Sequence, residues 1–201
     1  MTRVLRGPGG KDVLLLCLDA LSVAPGGDND GAPGARDLAA TRGGDAWSAN
    51  AARLLAHARA EGWAVGHVIS RRPRPGETPW RPVGGMTPAP SEPVYHRGEP
   101  SAFSSPELCE AIERGERGEV VLCGVSVQGS CLATALDALR LKLRLTVAAD
   151  AVLLAQAERT GLDGFLRLQS LGLAKSAVRL AASDGLVQPW QRLRLVQGGR
   201  A

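Results

Sequence analysis

Three short apolar runs constrain the fold of this chain more than any other feature: DVLLLCLDAL (12–21), WAVGHVIS (63–70) and EVVLCGV (119–125). Each is too short for a typical globular helix, and the first and last are apolar enough to be buried on both faces of a sheet. Stretches with helical spacing lie between them. SANAARLLAHARAEG (48–62) opens on Ser48 as a candidate cap and closes on Gly62. SSPELCEAIERG (104–115) puts a capping serine before a proline near the first turn. GSCLATALDALRLKL (129–143) reads as a third helix, and RLTVAADAV (144–152) as a further strand. PVYH (93–96) is a short strand candidate. Residues 153–180 read as helical, with interruptions at Gly161, Gly164 and Gly172.

Strands that alternate with helices in this way predict an α/β chain, a three-layer α/β/α sandwich around a mostly parallel central sheet. Functional groups in such folds gather at the carboxyl ends of the strands. Asp19, the segment around 124–131 and Asp150 are expected there. Two stretches rich in Gly and Pro or Asp, 24–46 and 71–93, read as long loops.

Composition narrows the function classes. The 201 residues fit one domain, 1–201, with a core of about 12–185, and a hydrophobic fraction of 44% excludes a disordered chain. The net charge of +4 is dispersed and aromatics make up 3%, too few for a base-stacking platform, so no nucleic-acid partner is expected. Cys17, Cys109, Cys123 and Cys131 have no zinc-ligand spacing, so no metal and no other cofactor is expected. No apolar signal segment or membrane-length run is present, and the expected setting is reducing and cytoplasmic, with no membrane partner.

The order of the motifs resembles the isochorismatase-like cysteine hydrolases, the superfamily of isochorismatases, nicotinamidases and related amidases. The resemblance runs from about residue 12 to 152 and is most specific in EPVYHRGEPSAFSSPEL (92–108) and LCGVSVQGSCLATALDA (122–138). It implies a Rossmann-like sandwich fold and, in most members, an Asp–Lys–Cys triad. The Asp takes the thiol proton, the thiolate attacks a carbonyl carbon, and N–H groups of the nucleophile turn hold the oxyanion. Ser126, Gly129 and Cys131 fall on that turn. Isochorismatases proper lack the Cys and cleave a vinyl ether without a covalent intermediate. The resemblance further implies a homo-oligomer.

Asp19 stands where the family has its Asp, but the other two places differ. Ser130, six residues after Gly124 and four before Thr134, occupies the nucleophile position, and Cys131 follows it one helical step away. Arg97, four residues before Ser101, replaces the Lys. A thiol at a helix N-terminus ionises readily, whereas a serine there needs a positioned base and is equally well placed as a cap. Arginine keeps the positive charge but does not release a proton. His57, His67 and His96 form no catalytic constellation, although His96 neighbours Arg97. The expected function is a divergent hydrolase of a small amide, ester or vinyl ether, working through Asp19, Arg97 and Ser130. The alternative is an inactive family member that binds a small molecule or serves as a scaffold.

Overall fold

The structure is a computed structural model, and it describes residues 13–20, 46–70, 82–115, 119–126, 129–168 and 178–187. The loop expected at 24–46 lies outside these residues except for Ala46, and so do residues 71–81 of the Pro/Gly stretch 71–93. In chain order the elements are β1 (Val13–Leu18), α1 (Ala46–Ala60), β2 (Ala64–Ile69), β3 (Val94–His96), a 3₁₀ turn (Ala102–Ser104) and α2 (Pro106–Arg114). Then come β4 (Glu119–Val125), α3 (Ser130–Arg140), β5 (Arg144–Leu153), α4 (Gln156–Leu168) and β6 (Val178–Ala181).

The six strands pair in the order β3-β2-β1-β4-β5-β6, all parallel. The chain winds outward from β1 to β3, returns to β4, then winds the other way. Right-handed crossovers therefore put α1 on one face and α2, α3 and α4 on the other. β1 and β4 lie at the centre, which is why Leu15, Leu16, Cys17, Leu122 and Cys123 are completely buried. Each such leucine contributes roughly 1.5–3 kcal/mol through burial.

The reversal of winding direction falls between β1 and β4, and the two strands are in register at Leu18 and Gly124. Gly124 has φ +113°, and a Cβ there would stand 2.2 Å from the Leu18 carbonyl oxygen. Only glycine permits this approach. It brings the turn after β4 against the residue that follows β1, which is Asp19.

Four details differ from the sequence reading. α1 includes Ala46, so Ser48 lies within it rather than capping it. α4 runs unbroken through Gly161 and Gly164. A Cβ at Gly161 would sit 3.0 Å from Leu132 Cδ2, so this glycine lets α4 lie close against α3. Residues 178–180, expected to be helical, belong to the edge strand β6, because pairing with β5 outweighs local pattern. Finally, β5 continues past Asp150 to Leu153, with a register shift against β4 between Leu122 and Gly124.

That irregularity turns Asp150 to a structural task rather than a place at a strand end. Its carboxylate accepts from the Ser183 N–H (2.7 Å), the Ser183 hydroxyl (2.8 Å) and Asn50 Nδ2 of α1 (3.2 Å). It thereby ties α1 and the segment after β6 to β5.

Candidate active site

Asp19 follows the last residue of β1 in the left-handed region, at φ +39°. A non-glycine residue enters that region at a cost of about 1 kcal/mol or more. Three hydrogen bonds hold it there. Its N–H donates to the Val68 carbonyl at 2.8 Å, Oδ1 accepts from the Ser70 N–H at 2.9 Å, and Oδ2 accepts from Arg97 Nη2 at 2.7 Å. Arg97 directly follows β3, and its N–H donates to the Ile69 carbonyl at 3.0 Å, while Nη1 donates to the Glu99 carbonyl at 2.8 Å. The ends of β1, β2 and β3 are thus tied into one corner.

Asp19 and Arg97 are only 6% and 4% exposed, so this is a buried ion pair. Burial pushes the Asp19 carboxyl up, and Arg97 and the Ser70 N–H pull it back only in part, leaving it above the ordinary carboxylate value. The ion pair therefore does not make Asp19 a more acidic group than usual, as pairing with arginine alone would. Arg97 Nε is buried without a partner among the described residues.

The second corner is the turn from β4 into α3. The Ser126 N–H donates to the Leu153 carbonyl at 2.9 Å, which fixes the turn against β5. Gly129 has φ +77° and precedes the first residue of α3, Ser130. Ser130 is completely buried, with its Oγ 3.3 Å from Ser126 Oγ. Ser126 Oγ also accepts from the Cys131 N–H at 2.9 Å and donates to Glu158 Oε1 at 2.7 Å. The same Oε1 accepts from the Leu132 N–H at 2.9 Å. Two first-turn N–H groups of α3, those of Cys131 and Leu132, are therefore taken by Ser126 and Glu158. The Cys131 N–H, expected among the oxyanion donors, is one of them.

Cys131 itself is fully buried in the core. Burial, reinforced by the Glu158 carboxylate, pushes its thiol up to about 12, so it is not a thiolate near neutral pH.

The two corners lie on the same edge of the sheet, on either side of the Leu18–Gly124 contact. A further link runs between them. Thr134 Oγ1 accepts from the Ala102 N–H at 2.9 Å and donates to the Ser130 carbonyl at 2.6 Å, so the 3₁₀ turn after Arg97 is fastened to α3. Ser101 caps that turn through the Phe103 N–H. Asp19 and Arg97 are joined directly, whereas the hydroxyl of Ser130 is joined to Ser126 and through it to Glu158.

Glu158 is the residue that sequence reasoning missed. It is 8% exposed on α4, and no cation pairs with it among the described residues. A glutamate in the first turn of a helix is an ordinary feature, and nothing in its neighbourhood along the chain distinguishes it. The signal is only spatial: Gly161, three residues on, lets this face of α4 meet the start of α3.

His57 meets Trp63 edge-on at 5.4 Å. His67 is buried in β2 with Nε2 2.9 Å from Glu92 Oε2, and Glu92 in turn accepts from Arg59 and the Ala89 N–H. Burial pushes Glu92 up, but those bonds outweigh it and hold the carboxyl at about 2. His96 ends β3. Among the described residues no group of three His, Cys, Asp or Glu is arranged to hold a metal ion, and no helix is long and apolar enough to cross a membrane.

This architecture has counterparts among known proteins. The isochorismatase domain, as a family model, matches residues 34–166, more than half of the 201. The chain belongs to the isochorismatase family. The matched range includes Arg97, Ser130 and Glu158 and begins after Asp19. Among solved structures, an isochorismatase family protein from Desulfovibrio vulgaris is similar at 22% identity and a TM-score of 0.63, over 90% of this chain and 100% of that one. An isochorismatase-like hydrolase from Alkaliphilus metalliredigens is similar at 18% identity and a TM-score of 0.64, over 89% and 98%. The N-carbamoylsarcosine amidase of Thermoplasma acidophilum is similar at 20% identity and a TM-score of 0.61, over 86% and 96%. Such identities establish a shared fold and a divergent member. No curated protein matches the chain by sequence.

Proposed function

We propose that this isochorismatase-family chain is a hydrolase of a small amide, ester or vinyl ether, working through Asp19, Arg97 and Ser130. Asp19 moves the proton, Arg97 holds its charge and faces the polar group of the substrate, and Ser130 supplies the hydroxyl beside the bond to be cleaved. The observation that carries this reading is the Asp19–Arg97 pair. It is buried, closed at 2.7 Å and set on a strained backbone at the switch point of the sheet. Strain retained next to a buried charge pair is a feature of working sites rather than of optimised cores. The raised carboxyl of Asp19 suits it to proton transfer. The unpartnered Arg97 Nε–H supports a role in binding a carbonyl or carboxylate. The structural likeness to an amidase favours an amide within the substrate range.

The test is a panel of small amides, esters and vinyl ethers assayed with the wild type, Asp19→Asn and Ser130→Ala. Turnover lost in both variants is the expected result. Turnover lost only with Asp19→Asn would assign the non-covalent acid–base route. Absence of turnover across the panel, with a ligand still raising the thermal midpoint, would assign the second reading, an inactive member that binds a small molecule or serves as a scaffold. That second reading is favoured by one observation: the hydroxyl of Ser130 is fully enclosed and engaged with Ser126.

A homo-oligomer is part of this proposal. Leu136 and Leu168 are large apolar side chains about half exposed on α3 and α4, and they support it. Sedimentation at micromolar concentration checks it, and a monomer would count against it.

A further inference from the structure

We propose that Glu158, acting through Ser126, is the positioning residue that directs the hydroxyl of Ser130 and receives its proton. This deepens the hydrolase reading above and rests on it. Three polar atoms surround Ser126 Oγ: Glu158 Oε1 at 2.7 Å, the Cys131 nitrogen at 2.9 Å and Ser130 Oγ at 3.3 Å. A hydroxyl has one proton and two lone pairs, and an ionised carboxylate only accepts. The Ser126 proton therefore points to Glu158. One lone pair takes the Cys131 N–H. The remaining lone pair faces Ser130, so Ser130 is the donor in that contact. The result is a one-way line in which Ser130 donates to Ser126 and Ser126 donates to Glu158, with a carboxylate at its end.

Two further observations support a built arrangement. Ser126, Ser130 and Glu158 are 3%, 0% and 8% exposed, so water does not compete for these bonds. Glu158 is itself fixed by the Leu132 N–H at 2.9 Å, in the first turn of the helix that Ser130 starts. The family's acid–base pair stands apart from this line, because both oxygens of Asp19 are already occupied by Arg97 and the Ser70 N–H.

The step this allows is an acyl transfer. Ser130 Oγ bonds to the carbonyl carbon of an ester or amide, and the C=O electron pair moves onto oxygen. The Ser130 proton passes to Ser126 as the Ser126 proton passes to Glu158. The tetrahedral intermediate expels the alcohol or amine, which takes a proton from Ser126 as Ser126 regains one from Glu158. Water then attacks the acyl-Ser130 ester, gives up a proton by the same route, and releases the acid with Ser130 restored.

The experiment follows acetylation of the full chain by p-nitrophenyl acetate, with acid quench, peptide mass spectrometry at Ser130 and the initial rate. The expected result is acetyl-Ser130 in the wild type, slowed about 100-fold in Glu158→Gln and Ser126→Ala. Ser126→Thr, which keeps the hydroxyl, should restore the rate to within about tenfold of the wild type. Glu158→Gln retains the acceptor oxygen for both donors and should melt near the wild type, so its slower rate is not a loss of fold. No acetyl on Ser130 in the folded wild type would overturn the relay while leaving the Asp19 route to be judged on the vinyl ethers. Equal rates in the wild type and Glu158→Gln would also overturn it. So would full acetylation in Glu158→Gln alongside its loss in Asp19→Asn. Acetylation that depends on Glu158 in a protein without turnover on the panel would uphold the relay and remove the hydrolase reading.

Discussion

Asp19 and Glu158 are both buried carboxylates at the carboxyl edge of the same sheet, and they are held in opposite ways. Asp19 faces a guanidinium at 2.7 Å and sits on a strained residue. Glu158 faces a hydroxyl and a helix N–H and lies on an unstrained helix. The first corner is a charge pair whose partners depend on each other. The second is a chain of neutral donors ending on one charge, which the N-terminus of α3 helps to stabilise. A buried carboxylate can thus be accommodated either by a cation or by a helix end, and the two solutions differ in what breaks when one member is removed.

The largest expected contrast is in stability. Arg97→Ala leaves Asp19 as an uncompensated buried charge and should destabilise by about 3–5 kcal/mol, read from urea unfolding. Gly124→Ala attacks the contact that joins the two corners. Its Cβ would overlap the Leu18 carbonyl at a φ that only glycine tolerates, and a loss of about 3 kcal/mol or more is expected by the same measurement. A loss under about 1 kcal/mol would show that β1 and β4 can separate there without cost.

Glu158→Ala should cost less, about 2 kcal/mol, because it strands the Ser126 hydroxyl and the Leu132 N–H but leaves no lone charge behind. If it destabilises as much as Arg97→Ala, the distinction between the corners is wrong. Glu158→Gln keeps an acceptor for both donors and should fall below about 1 kcal/mol.

The smallest effect is in the pH dependence, and its sign is specific. The folded-state carboxyl of Asp19 lies above its ordinary value of 3.8, so the native state holds a proton that the unfolded chain has released. Its contribution to stability is most favourable below that value and declines as pH rises through the folded value. The stability difference between wild type and Asp19→Asn should therefore shrink with rising pH across the acid range. Glu92 supplies the opposite slope: held at about 2, its contribution is present above 4.5 and is lost as pH falls toward the folded value. Denaturant titrations of Asp19→Asn and Glu92→Gln side by side should show slopes of opposite sign. Parallel slopes would mean that Arg97 outweighs burial at Asp19.

Much of the scaffold was legible in the chain. The apolar runs marked β1, β2 and β4, because a strand covered by helices on both faces has no polar side to show. Ser105 and Pro106 marked the start of α2 through local capping chemistry. The place of Ser130, six residues after Gly124, followed from the resemblance to the family. β6 was misread because an edge strand of four residues owes its form to its neighbour rather than to its own pattern.

Local periodicity and backbone preference suffice for the parallel sheet, its central strands and Asp19 at a strand end, and the resemblance to the family adds Arg97 and Ser130. Only the tertiary structure decided which groups meet. It closed Asp19 on Arg97 across 78 residues, and it brought Glu158 to Ser126 across 32. It also enclosed Asp19 enough for burial to outweigh its arginine. Hydrogen bonding and desolvation depend on distances through space, and a linear chain carries no record of those until the sheet has brought its edges together.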